Sequence, residues 1–270
     1  MQTSEVLDLL TALADKSLLM AEGDDEAPRY RMLETIRAYG RSGSDEAGEL
    51  DAVRHAYARF FVELAETAEP HLRRAEQLEW GRRLEAEHDN LHAAMRSAIA
   101  LGDAQLAVRM VNAAGWYWWF GGHKAEGIQL ATEALELPGE VDAATRATGA
   151  AMIAYFITTA GLGDLGQAEP WIREAQRLLR RNWLIPDPLL RLAVAVFPAV
   201  QDEWGRGMSA MEAMEPLLAD DDPWVRAQIR LARTRMLGDE ERETDIGQAL
   251  DEFRSIGERW GISYGLGHAG

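Results

Sequence analysis

The chain has 270 residues, with 28 Lys and Arg against 45 Asp and Glu, a formal net charge of −17. Its 47% hydrophobic and 27% charged residues can bury a full core, which excludes a disordered chain, and zero cysteines exclude disulfide frameworks, thiol catalysis, iron–sulfur clusters and zinc knots. The acidic excess opposes nucleic-acid phosphate, no 18-residue apolar run marks a membrane span, and the start MQTSEVLDLL has no signal-peptide pattern, so a cytoplasmic protein that binds neither nucleic acid nor membrane directly is expected.

Val6, Leu7, Leu9, Leu10 and Leu13 recur at helical spacing behind Thr3 or Ser4 as an N-cap, so a helix opens the chain. The runs from Ser17 to Met20 and from Tyr30 to Leu33 flank the turn-forming Gly23-Asp24-Asp25 and predict a short β-hairpin. Helical spacing returns through Ile36 and Tyr39 and stops at Gly40-Arg41-Ser42-Gly43-Ser44, the predicted linker. Helix, hairpin, helix is the order found at the end of a winged-helix domain, which sets a first domain at residues 1–43.

Residues 44–270 carry helical stripes broken by Gly, Pro and Asp, enough for about a dozen helices joined by short turns. Small-or-apolar triplets recur at Gly127/Ala131/Ala134, Ala168/Ile172/Ala175, Gly207/Met211/Met214 and Ile246/Leu250/Phe253, with starting positions 41, 39 and 39 apart. A lone helix pair cannot bury its apolar face, so stacking of successive pairs is expected to supply the core. The fold class that follows is mainly α: a tetratricopeptide-like α-solenoid, with units longer than the usual length of about 34 residues, preceded by a partial winged helix with one short hairpin. Another α-solenoid family is the alternative.

Three stretches, LLTALADKSLLM (Leu9 to Met20), RYRMLETIRAYG (Arg29 to Gly40) and LEAEHDNLHAAM (Leu84 to Met95), resemble the segment that follows the nucleotide-binding module in bacterial transcriptional regulators of the signal-transduction ATPase (STAND, NB-ARC) class. That class includes the actinobacterial antibiotic regulatory proteins and the large LuxR-type regulators. GWYWWFGGHKAEG (Gly115 to Gly127) is similar to the family's first solenoid pairs. The resemblance covers residues 5 to about 137 and implies a winged-helix remnant followed by a sensor array, working on an ATPase module in a longer native chain. No G-x-x-x-x-G-K-[ST] occurs, so ATP hydrolysis by this chain is not expected, and both Met1 and Gly270 read as fragment boundaries.

Trp116, Tyr117 and Trp119, with His123 just beyond, are candidates for an aromatic surface that holds a ligand or partner, and Trp171 and Trp204 extend the same candidate face; the competing reading is a structural core. Arg29, Arg31 and Arg37 are candidates for an intramolecular interface, because the resembling family packs this piece against its ATPase module. His88 and His92 sit four apart, with Glu85 a turn earlier, a spacing able to put three metal-ligating side chains on one helix face. The pattern is not H-E-x-x-H and a capping or surface role is expected, with no metal and no cofactor. Arg73-Arg74, Arg82-Arg83, Glu85/Glu87 and Asp220 to Asp222 read as solvated faces and turns.

No nucleophile, base and oxyanion donor can be assembled, so an enzyme is not expected. The expected role is a non-catalytic sensor or interaction region that binds a protein, peptide or small-molecule effector and controls the upstream ATPase switch. The alternative is a stand-alone scaffolding adaptor.

Overall fold

Helix α1 (Thr3–Asp15) ends where Ser17 takes a left-handed backbone, φ 57°, so that the Leu18 N–H closes back on the Leu13 carbonyl at 3.0 Å. The turn points the chain into β1 (Met20–Glu22), which pairs antiparallel with β2 (Arg29–Arg31) in the register Met20 to Arg31 and Glu22 to Arg29. This computed structural model describes residues 3–22, 29–160, 165–179, 187–202 and 210–268. The hairpin turn at Gly23-Asp24-Asp25 lies outside them, as do Trp204 and Gly207.

The described residues are mainly helical, with this hairpin as their one sheet. None of their helices is long and apolar enough to cross a membrane. Two compact units form, Met1–Arg54 and His55–Gly270.

In the first unit, α2 (Glu34–Glu46) runs straight through the stretch predicted as a linker. Gly40 and Gly43 each cost about 1 kcal/mol against Ala in a helix, yet the backbone ladder holds past them and stops only at Gly48, where φ is 69° and the N–H meets the Asp45 carbonyl at 2.9 Å. The unit then enters α3 (Leu50–Ala68). Among its described residues Leu19 is the buried hydrophobic, whereas Leu7, Leu9, Met20, Tyr30, Leu33, Tyr39 and Val53 are exposed.

The second unit continues from α3 through a short 3-10 turn (Glu69–Arg73) into α4 (Gln77–Ala86), α5 (His88–Ala100), α6 (Ala104–Gly121) and α7 (Lys124–Glu136). Helices α8 (Ala143–Ala160), α9 (Leu165–Leu179), α10 (Pro188–Asp202), α11 (Ala210–Met214), α12 (Pro223–Arg233), α13 (Asp239–Ile256) and α14 (Arg259–His268) follow. Helices α6 and α7, α8 and α9, α10 and α11, and α12 and α13 pack as consecutive pairs. The predicted triplets fall on the second member of each: Ala131 and Ala134, then Ala168, Ile172 and Ala175, then Met214, then Ile246, Leu250 and Phe253 are all buried. Small residues there admit close neighbours, as at Gly127, where a Cβ would come within 2.9 Å of the Trp118 ring.

Helix α6 buries most of its circumference, apart from a narrow polar stripe at Gln105, Arg109 and Asn112, and is therefore central. Trp116 on α6 meets Trp224 on α12 edge-on at 4.9 Å, and Phe120 meets Trp260 on α14 at 5.5 Å. These contacts join residues more than a hundred positions apart and go beyond the neighbour-to-neighbour stacking of a straight row of pairs.

The same closure corrects the reading of several charges as solvated. Arg73 is buried, with both Glu69 oxygens at 3.0 Å and Asp222 at 3.8 Å, and Arg74 reaches Asp222 at 3.0 Å. Asp222 also caps α12 by accepting the Trp224 N–H at 2.9 Å, and Asp220 pairs with Arg191 at 3.1 Å. Carboxylates taken out of water are kept only where cations and backbone donors surround them, and the fold brings those partners from distant sequence.

Candidate functional site

Four helix ends converge on one cluster of ionisable side chains. Helix α4 ends at Ala86 and α5 starts at His88, with Glu87 between them in a non-helical conformation, φ −105° and ψ 9°. This break corrects the expectation that Glu85, His88 and His92 share one helix face: Glu85 belongs to α4, and His92 lies on α5 away from it. Asn90 fastens the corner, donating to Glu87 at 2.6 Å while its side-chain oxygen accepts from the Tyr57 hydroxyl at 3.0 Å.

Tyr117 comes from the last turn of α6. That helix stops at Gly122, whose left-handed φ of 85° reverses the chain, and the His123 N–H then bonds the Trp118 carbonyl at 3.0 Å. His123 therefore folds back over the α6 terminus, and its imidazole stacks on His88 at 4.1 Å. Glu126, in the first turn of α7, completes the group, its Oε2 lying 3.4 Å from His88 Nε2.

The hydrogen-bond arithmetic sets each proton. The Glu85 carboxyl is held below its ordinary value, first by the bond from His123 and then by the bond from Tyr117, so it accepts only. Tyr117 has one proton, and donates it to Glu85 Oε2 at 2.9 Å. Burial, reinforced by this bond, pushes the phenol well above its ordinary value, so the proton stays. The contact of 2.9 Å between His88 Nδ1 and the Tyr117 oxygen must then carry the imidazole's proton, and His123 Nε2 must donate to Glu85 at 3.0 Å. In neutral His88 the bare nitrogen is consequently Nε2, which faces a carboxylate oxygen of Glu126. The other oxygen, Glu126 Oε1, is buried without a hydrogen-bond partner.

Beside this cluster a cleft of about 400 Å³ opens between α4, α6 and α14. Leu72, Leu78, Phe120 and Trp260 supply its apolar lining, and Arg82, Glu85 and Arg259 its charges. Clefts of this size, apolar with a few fixed polar groups, suit small organic ligands.

Of the residues singled out as a ligand surface, Trp116 and Trp119 are buried and pack on rings, Tyr155 at 5.6 and 5.0 Å respectively, so they offer no face to a ligand. The physical reason is that the faces of α6 carrying Trp116 and Trp119 are covered by other helices, so these rings meet protein. Tyr117 is buried as well, yet it lines the cleft and holds the cluster, and His123 is partly exposed. Trp171 on α9 is half-buried and Trp204 lies outside the described residues. Arg29 and Arg31 on β2 and Arg37 on α2 are exposed, Arg37 being 3.3 Å from Glu34. Glu126 and Trp260 escaped notice in the sequence because nothing local distinguishes them; only the meeting of helix ends does.

No protein-family model and no solved structure matches the chain. It is 29% identical over 234 residues to proteins of Mycobacterium tuberculosis H37Rv, Mycobacterium tuberculosis CDC 1551 and Mycobacterium bovis, each bearing the name "Putative HTH-type transcriptional regulator". The match takes in 83% of this chain and 26% of each relative, so the chain spans about a quarter of their length. This similarity supports a regulatory role in transcription.

Proposed function

We propose that this chain is a non-catalytic sensor and interaction region of a transcriptional regulator. In this reading residues 1–54 form a winged-helix remnant that docks on the rest of a longer polypeptide. Residues 55–270, a tetratricopeptide-like array, take a protein, peptide or small-molecule effector, for which the cleft between α4, α6 and α14 is the candidate seat. Binding would favour one arrangement of the array against an upstream ATPase module, by no more than the effector's difference in affinity for the two arrangements.

The observation that carries the reading is the first unit's surface. Leu7, Leu9 and Leu33 are more than half exposed and Tyr39 is 82% exposed, in a unit with a single buried hydrophobic among its described residues. A contiguous protein that left so much apolar surface in water would forfeit about 25 cal/mol for each Å². The relatives named as regulators are more than three times as long as this chain, which supports a longer polypeptide whose remainder covers that surface.

The sensor half is tested in cells with the native regulator driving a reporter gene. Gly81 lies in the cleft wall, and a Cβ there would meet nothing within 4 Å, so Gly81→Phe fills the cleft without displacing the core. The expected result is a regulator of normal abundance that no longer responds to an inducing cell extract. An unchanged response would remove the cleft as the effector seat.

A further inference from the structure

We infer that His88, His123 and Glu126 form a binding site for a divalent transition-metal ion of the zinc class, with Tyr117 and Glu85 holding the two imidazoles in their ligating tautomers. One ligand atom from each of the three residues lies within 4.8 Å of the others. The site does not depend on the neighbouring cleft being an effector seat.

The proton positions make the case. Tyr117 spends its only proton on Glu85, so His88 must give its Nδ1 proton to Tyr117 and keep a bare Nε2 when neutral. His123 gives its Nε2 proton to Glu85, which leaves Nδ1 as its remaining nitrogen. An imidazole whose far N–H is fixed by a carboxylate or hydroxyl is the usual outer arrangement around a metal-ligating histidine, and both histidines have it. His88 Nε2 and Glu126 Oε2 then face each other at 3.4 Å, two acceptors when the imidazole is neutral, at the spacing of neighbouring ligand atoms around a bound cation. A second proton on the ring would instead make them an ion pair, and that proton is what the metal would displace. Glu126 Oε1, buried with no hydrogen-bond partner, is a second acceptor awaiting positive charge.

Two imidazoles and a carboxylate suit zinc, cobalt or nickel, whereas calcium and magnesium require oxygen ligands throughout. Ligand atoms of a tetrahedral zinc shell sit about 3.4 Å apart, given bonds of about 2.1 Å. Closing from the present spacing requires rotation of the His123 and Glu126 side chains. Both are partly exposed at the start of α7, where they can turn and where an ion can enter.

The test uses the 270-residue chain freed of metal by chelator and titrated with Zn²⁺ alone by calorimetry, and with Co²⁺ alone by visible absorption. One ion per chain is expected, with the ring ¹⁵N resonances of His88 and His123 shifting together. His88→Ala and His123→Ala should each weaken binding by at least about tenfold. Glu126→Gln, which keeps the side chain's size in case the histidine variants fail to fold, should weaken it too. His92→Ala, on the same helix as His88, should bind as the parent does. Absence of saturable one-to-one binding, binding indifferent to His88→Ala and Glu126→Gln, or dependence on His92 would each overturn the site.

Discussion

Gln77 and Glu258, 181 residues apart in sequence, share a buried hydrogen bond of 2.5 Å from Gln77 Nε2 to Glu258 Oε1. The same amide nitrogen donates to the Leu72 carbonyl at 2.7 Å, and its oxygen accepts the N–H groups of Arg259 and Trp260 at 2.9 and 3.0 Å. One side chain at the start of α4 therefore caps the N-terminus of α14 and closes the second unit on itself. Gln77→Leu would leave two backbone donors unmet and a buried carboxylate short of a partner. Urea unfolding should report a loss of about 3 kcal/mol, within the range for stranding buried polar groups.

Glu258 gives this closure a pH dependence. Burial pushes its carboxyl above the ordinary value, against the opposing pull of the Gln77 and backbone N–H bonds. A group whose folded pKa exceeds its unfolded one binds more protons when folded, so its stabilising contribution is complete below the unfolded value, near 4.5, and is lost as pH rises through the folded value. The difference in unfolding free energy between the parent and Glu258→Ala should therefore become less favourable to the parent as pH rises from 4.5 toward neutrality. A flat difference would show that Glu258 titrates alike in both states.

The aromatic centre should behave as core. Trp116 is buried against Trp224, Tyr155 and Phe120. Trp116→Ala is expected to cost about 3–5 kcal/mol, the usual range for emptying such a site, and to diminish the near-ultraviolet circular dichroism. A loss under about 1 kcal/mol would mean that the α6 to α12 contact does not form.

Two helical glycines should respond in opposite directions. At Gly127 a Cβ would stand 2.9 Å from the Trp118 ring and 3.1 Å from Phe156, so Gly127→Ala should lower stability by about 1–3 kcal/mol despite the better helix propensity. At Gly247 in α13 a Cβ would meet nothing within 4 Å, and Gly247→Ala should raise stability by up to about 1 kcal/mol. Paired thermal melts check both.

Much of the helical architecture was legible locally. The triplet Ala168, Ile172 and Ala175 announces a helix face pressed on a neighbour, and all three residues are fully buried. The turn signals placed the hairpin within a few residues of its observed strands. Gly40 and Gly43 misled because an exposed helix tolerates glycine when nothing forces the ladder open, and the true stop, Gly48, lacked a hydrophobic period to mark it. The candidate site was legible in most of its residues, since Glu85, His88, Tyr117 and His123 each stood out, but not in their meeting or in Glu126. His88 was grouped with its sequence neighbour His92, and Tyr117 and His123 with the tryptophans beside them, whereas the fold brings His88, Tyr117, His123 and Glu126 together from α5, α6 and α7. Helical period tells which face is buried; it does not tell which helix ends meet. Arg73 fails for the same reason, since its partner Asp222 is supplied by a turn almost 150 residues away.

The central claim, that the first unit is a docking surface for the rest of a longer regulator, is tested most directly by hydrogen exchange. Amide protection of residues 3–54 would be compared between the 270-residue chain and the full native polypeptide of the same organism. The account predicts that α1 and α2, which carry Leu7, Leu9 and Tyr39, gain protection in the full polypeptide while α6 and α8 keep theirs. Equal exchange of α1 and α2 in both proteins would contradict it, leaving the exposed apolar face without its proposed partner.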